Sequence, residues 1–433
     1  MKENERGSAY ETRGTLETDN RQERTMGNTR VLGEPPRTSG NLKPTAPAVH
    51  RELAALRVLG TSVTQVSAVK SAAESDLGFK LDLITLDGAA AQQRGALHPE
   101  SFDIYDQWFH DLDLIWPTGS LQPLQINRLE RWNEINELPK TGRLSAEHMR
   151  LAGSDPSRQL YVQLDGGLSN VPTEQVSMLP TVHNADGFAV LGDEDAVSWG
   201  ALLNPKYAGR VILQSDPAIG AFDMLLALQA TGQMRPANMA DLSLPEIDTL
   251  IAHLSRLRSA GQFNRIWNDE SEAIEAMMQG APMIGSLWWS GAIRLKAEGI
   301  PVRMVVPKEG CRGWFGGLAL AAHLDGRERD AAYEYLNWWL DGTPGAILAR
   351  NGAYMANHSA VREKLCPEEW AFWYEGAPAS VEICDTQGRK IYAAGQVREG
   401  GSYYERMSKV VVWDSVMTEH NYLMRRWAHA INQ

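Results

Sequence analysis

The run "SMLPTVHNADGFAVL", Ser177 to Leu191, is two apolar extended stretches interrupted by polar residues from His183 to Gly187. A β-strand that stops and restarts in mid-chain reads as a crossing between two lobes. The sequence on either side should then supply a sheet for each lobe. Upstream, "ELAALRVLG" predicts a strand, "TSVTQVSAVKSAAESDLG" a helix ended by Gly78, "FKLDLITLDG" a second strand and "FDIYDQWF" a third. Strand and helix in alternation is the opening of an α/β sheet.

Downstream the alternation resumes. "VSWGALLNPKYAGRVILQSD" reads as a short helix, a turn and a strand that stops at Asp216. In "PEIDTLIAHLSRLRSAG", Ile247, Leu250, Ile251, Leu254 and Leu257 recur at helical spacing, with Gly261 placed as a C-terminal cap. "WNDESEAIEAMMQG" is a helix with Asn268 or Asp269 as N-cap and Gly280 as terminator. "IGSLWWSG", Ile284 to Gly291, is then expected to be a strand, which would send Trp288 and Trp289 to opposite faces. A helix "AIRLKAEG", a strand "PVRMVVPKEG", a glycine-rich loop "CRGWFGG" and an amphipathic helix "DAAYEYLNWWLDG" follow. In the last, Ala332, Tyr335, Leu336 and Trp339 make one stripe suited to a core.

The length of 433 residues suits two domains rather than one core. A net charge of -12 disfavours a general affinity for nucleic acid or anionic membrane. Cys311, Cys366 and Cys384 match no zinc or redox spacing; one bridge between Cys366 and Cys384 and three isolated thiols both remain open. Residues 1–50 are rich in charge, Gly, Pro and Thr and read as a disordered leader. They hold no apolar core of secretory length after a basic start, and no later segment reaches membrane-spanning length.

Five motifs in series, "SWGALLNPKYAGRVIL", "MIGSLWWSG", "IPVRMVVPKEGCRGWFGGLAL", "AAYEYLNWWL" and "NGAYMANHSAVREKL", resemble the bacterial extracellular solute-binding proteins of the spermidine/putrescine-binding type. The likeness runs from about Leu56 to the C-terminus. It implies an α/β, two-lobed periplasmic-binding-protein-like fold (type II), with hinge crossings and a central ligand cleft. Residues 51–184 with 308–360 would form the first lobe. Residues 185–307 with 361–433 would form the second, its C-terminal helices crossing back. It further implies a monomer that delivers a small solute to the membrane subunits of an ABC permease, with no catalysis, cofactor or metal.

Carried over by motif, the cleft tryptophan falls on Trp289 and the loop tryptophan on Trp314, so Trp289 would face the ligand and Trp288 the other side. Asp216 matches an acid that contacts a ligand amine, and it sits beyond the carboxyl end of a strand, where ligands of α/β sheets lie. Tyr354 matches a tyrosine near the hinge. Two departures stand out: Ile219 and Gly316 occupy positions where the polyamine-binding pattern has carboxylates. The opening strand also has Gly60, Thr61, Ser62 and Thr64 in place of aromatics. With two carboxylates gone, the expected solute is small, bearing at most one amine held by Asp216, with its remainder against Ile219, Trp289 and Trp314. Further polar candidates are Gln107, Trp108 and His110 after a first-lobe strand, His183, Asn184 and Asp186 at the crossing, and Asp269 with Glu270 at a helix start.

Two other readings compete. An enzyme would have to build its site from His110 with Asp111 and Asp113, or from His183 with Asp186. No nucleophile elbow, P-loop, H-E-x-x-H or dinucleotide fingerprint is present. An intracellular ligand sensor with the same fold is motivated by the lack of a recognisable signal peptide; the family resemblance implies the periplasm. Tyr403 and Tyr404 in "GGSYYERM" are adjacent and cannot easily converge on one metal.

Overall fold

A computed structural model describes residues 55–192 and 195–432, so the expected leader lies outside the described residues. The first sheet opens with β1 (Leu56–Gly60), α1 (Ser67–Leu77), β2 (Leu81–Thr85), α2 (Gly88–Leu97) and β3 (Ile104–Trp108). β1 pairs in parallel with both β2 and β3. Gly78 ends α1 at φ 74°, a left-handed cap that glycine adopts without strain.

The crossing is tighter than expected. β4 (Leu179–Asp186) belongs to the first sheet and β5 (Phe188–Leu191) to the second, with Gly187 alone between them. His183 and Asn184 are therefore inside a strand rather than in a break. A Cβ on Gly187 would lie 2.0 Å from the Val305 carbonyl oxygen and 2.8 Å from Pro307 Cδ, because the returning crossing passes against it.

The second sheet is built from β6 (Val211–Gln214), α3 (Pro217–Ala230), α4 (Leu244–Ser259), β7 (Phe263–Trp267), α5 (Glu270–Met278), β8 (Met283–Gly285), α6 (Trp289–Ala297) and β9 (Val302–Val305). Its strand order is β7-β6-β8-β5-β9. α4 buries Ile247, Leu250, Ile251 and Leu254, the stripe read from sequence, and a Ser243–Glu246 capping box opens it.

Two local expectations are corrected here. "IGSLWWSG" is a strand end, a turn and a helix start. β8 stops at Gly285, whose φ of 145° leaves no room for a side chain beside Ile212. The start of α6 is fixed by Glu270: its carboxylate accepts the Ser290 hydroxyl at 2.8 Å and the Gly291 amide at 3.1 Å. Likewise "CRGWFGG" is no loop. It opens β10 (Cys311–Ala321), eleven buried residues paired with β3 and β4. Its glycines admit neighbours: a Cβ on Gly313 would meet the Trp413 ring at 2.7 Å, and one on Gly317 would meet Phe109 at 2.6 Å.

α7 (Gly326–Leu340) packs its Tyr335, Leu336 and Trp339 stripe on the first core. β11 (Tyr354–Met355) pairs with β4, and β12 (Val410–Trp413) runs parallel to β10. The segment from Leu365 to Trp413, grouped by sequence with the second lobe, contributes Phe372, Trp373, Tyr392, Tyr403 and Trp413 to the first core. Val412 of β12, Met417 and α8 (His420–Asn432), the last through Leu423, Trp427 and Ala430, join the second. Among the described residues no helix is long and apolar enough to cross a membrane.

Candidate functional site

Two helices that start at strand ends define one side of a cleft between the sheets. Asp87 caps α2 by accepting the Ala90 amide at 2.9 Å, and Asp216 caps α3 by accepting the Ala218 amide at 2.9 Å. Both aspartates line a cavity of about 260 Å³ with Trp108 from the first sheet, Ile219 and Trp288 from the second, and Met424, Trp427 and Ile431 from α8. No lysine or arginine among the described residues lines it. The two helix N-termini each add about half a positive charge, which offsets only part of two carboxylates. The cavity therefore remains electronegative.

A smaller cavity of about 10 Å³ shares Trp108, Ile219 and Trp288 with the first and is completed by Val63, Arg312, Trp314 and Asp414. The Trp108 and Trp314 rings meet edge to face with centroids 5.0 Å apart. Behind them lies a buried ionic cluster. Arg312 Nε donates to Asp223 Oδ1 at 2.9 Å and Nη1 donates to Asp414 Oδ2 at 2.9 Å, while Nη2 stands 3.8 Å from Asp186 Oδ2. Trp314 Nε1 donates to that same Asp186 oxygen at 2.7 Å, and the Ser286 hydroxyl donates to Asp223. Three carboxylates share one guanidinium. Burial holds the Asp223 carboxyl above the usual range, and burial together with repulsion from neighbouring acids does the same for Asp186 and Asp216 and pushes Asp414 up to about 8. Asp414 Oδ1 and Asp186 Oδ1 have no hydrogen-bond partner among the described residues.

Of the residues singled out from sequence, Trp108, Asp216, Ile219 and Trp314 come together around these two cavities. The tryptophan assignment is reversed. Trp288, half-buried, lines both cavities, whereas Trp289 is buried between Arg398 and Arg406, whose guanidinium carbons lie 4.6 and 4.2 Å from its ring centroid. A helix start turns successive residues by about 100°, enough to separate them as a strand would, but into different surroundings. His183 stacks on Phe315 and sits 3.1 Å from the Tyr403 hydroxyl. Asn184 donates to the Gly352 carbonyl and accepts from Arg406. Tyr354 packs against Arg398 and Tyr403. These three line neither cavity; they are packing groups of the crossing. Gln107 is buried on the far face of β3, its amide without a partner among the described residues.

Asp269 caps α5 and lines a separate cavity of about 260 Å³ with Glu270, Arg294 and Arg389. His110, held neutral by burial with its pKa lowered to about 3, stands 3.8 Å from Asp111, while Asp113 accepts from Gln159. Of that trio His110 and Asp111 stay adjacent, and Asp113 turns away to Gln159. Tyr403 is buried in an aromatic cluster and Tyr404 is 62% exposed. Cys311, Cys366 and Cys384 are all free thiols. A larger cavity of about 870 Å³ beside Tyr403, Tyr404 and Arg143 is lined only by segments packed with the first sheet, so it joins no groups across the crossing.

Sequence reasoning missed Asp87, Trp427, Asp223 and Asp414. Asp87 in "LITLDGA" and Asp414 in "VVVWDS" follow the same grammar as Asp216 in "VILQSDPA", an apolar strand closed by aspartate. That signal was available.

Two sheets joined by crossings, with tryptophans and aspartates converging between them, define a two-lobed solute-binding architecture. A family profile described as "Bacterial extracellular solute-binding protein" matches residues 109–365, more than half of the chain. The chain belongs to that family. It is 25% identical over 215 residues to the spermidine/putrescine-binding periplasmic protein of Escherichia coli K12, covering 48% of this chain and 58% of that protein. The match thus spans little more than half the length of that relative. Among solved structures, the A. tumefaciens R10 binding protein AgtB, in complex with agropinic acid, superposes with a TM-score of 0.58 at 15% identity, over 88% of this chain and 99% of that one. The A. tumefaciens B6 binding protein MotA, in complex with glucopine, gives 0.56 at 14% identity, over 87% and 99%. Both likenesses concern the fold.

Proposed function

We propose that the protein is the solute-capturing receptor of an ABC importer in the periplasm, and that it holds an amine-bearing organic solute between its lobes before delivery to the permease. Family membership supports the receptor role. The observation that carries the amine is the cavity between the sheets, walled by Trp108, Trp288 and Trp427 and carrying Asp87 and Asp216, with no basic residue among the described residues of its lining. A cation over an indole face gains ~0.5 to 2 kcal/mol, more where water is excluded. The carboxylates supply the counter-charge that a desolvated ammonium requires.

The expectation of a single charge anchor is widened by this geometry. Asp87 lines the same cavity as Asp216, so the positions lost at Ile219 and Gly316 are offset by acids from other elements. The test is a thermal-shift screen of the purified protein against putrescine, spermidine, choline, betaine, amino acids, opines and sugars. A ligand at a hundred times its dissociation constant adds about 2.7 kcal/mol to the folded state. Shifts confined to amine-bearing solutes are expected; a shift with sugars alone would overturn the amine reading.

A further inference from the structure

We propose that Asp414 is the group that meets the solute's ammonium, and that the small cavity beside it selects a primary ammonium over a quaternary one. This rests on the cleft being the solute site. Asp414 is 1% exposed, and its Oδ1 has no partner among the described residues although it belongs to a side chain lining the smaller cavity. A buried acceptor left unpaired is costly, and the size of the cavity that Asp414 lines limits what can pair with it. That space is about 10 Å³, close to the roughly 10 to 15 Å³ that admits one water-sized group. A primary ammonium has that size and a trimethylammonium does not. Because Trp108, Ile219 and Trp288 border both cavities, an ammonium in the small one leaves its carbon chain in the larger.

The backbone explains how an acid reaches this point. β12 lies beside β10, and the Asp414 amide donates to the Gly313 carbonyl at 2.8 Å. The carboxylate absent at Gly316 is thereby supplied from the adjacent strand, next to Trp314. The charged groups facing Asp414 are Arg312 on β10, Asp186 on β4, and Asp216 and Asp223 at the start and middle of α3; His110 lies near Arg312. This surplus of acid favours a cation and keeps Asp414 protonated at neutral pH while the site is empty. On binding, the O–H bond of Asp414 breaks and its proton goes to solvent, while the ammonium enters with its three protons intact. Affinity then rises about tenfold per pH unit up to pH 8 and levels off above it.

The experiment is titration calorimetry of the full chain with n-butylamine and n-butyltrimethylammonium, for the wild type and Asp414→Asn, at pH 6, 7, 8 and 9. We expect the primary amine to bind at least tenfold tighter, and Asp414→Asn to lose that preference and the pH dependence together. Arg312 keeps Asp223 and Asp186 in the variant, so folding should survive. Should it not, the comparison of the two ligands and the pH series on the wild type decide the matter. Equal affinity for both ligands, or unchanged binding in Asp414→Asn, would overturn the role of Asp414 and leave the cleft reading standing. Absence of binding by either ligand, with the thermal-shift panel also silent for amines, would overturn both.

Discussion

Between Trp288 and Trp289 the chain enters α6, and the first helical turn sends one indole into the cleft and the other against two guanidiniums. Among the described residues, Arg398 and Arg406 bond to uncharged oxygens, including the Trp373, Gly352, Glu399 and Ala185 carbonyls. The Trp289 ring therefore contributes to stabilising two buried cations. Trp289→Ala should lower stability by about 3–5 kcal/mol, as other large-to-small core changes do, measured by urea unfolding. Trp288→Ala should leave the unfolding midpoint in place and weaken putrescine binding about tenfold, the loss of one cation–π wall. A swap of these two outcomes would return Trp289 to the cleft. Asp216→Asn separates charge from capping, since asparagine caps a helix about as well as aspartate. Putrescine affinity should fall at least tenfold while the melting temperature stays constant; an unchanged affinity would reduce Asp216 to a cap.

At the scale of elements, the strands and helices with strong periodicity were legible from sequence: α4 by its Ile247, Leu250, Ile251 and Leu254 stripe, α7 by its tryptophan-bearing face, α1 by Gly78. What sequence misjudged was governed by tertiary contact. Eleven consecutive buried residues make β10 a strand although glycine dominates its start, because those glycines accommodate Trp413 and Phe109. β8 ends early because Gly285 presses on Ile212 and Glu270 captures the next helix start, facts no local pattern contains. The site was half legible for the same reason. Strand-end aspartates announce themselves, but that Asp414 and Asp87 converge on Asp216 depends on which strands are neighbours. Gly187 tests the crossing itself. Gly187→Ala would push a methyl group into the Val305 carbonyl of the returning strand. It should lower the unfolding midpoint markedly in chemical denaturation, whereas Gly166→Ala, with nothing within 4 Å of its added carbon, carries only the cost of its positive φ.

For the whole molecule, buried titratable groups set how stability responds to pH. Burial raises Asp106 and Glu270 to about 7 and Asp414 to about 8, against about 4 in an unfolded chain. The folded state keeps protons that the unfolded chain has released, so this stabilisation is full below pH 4 and is lost as pH rises through 7 to 8. Buried His110 and His358, lowered to about 3 and 4, act in the other direction, but only below the unfolded histidine value of about 6.5. Above pH 6.5 the acids act alone, and the melting temperature of the ligand-free protein should fall between pH 6.5 and 8.5 by scanning calorimetry. A flat profile over that interval would mean that these carboxyls are already ionised in the folded protein. Whether an amine lies between the two sheets is decided by a crystal structure of the protein grown with putrescine. The four-carbon chain should lie between Trp108 and Trp288, with one nitrogen in hydrogen-bond contact with Asp414 Oδ1 and the other beside Asp216 and Asp87. Putrescine bound instead in the cavity beside Tyr403 and Tyr404, with the cleft between the sheets left to solvent, would contradict it.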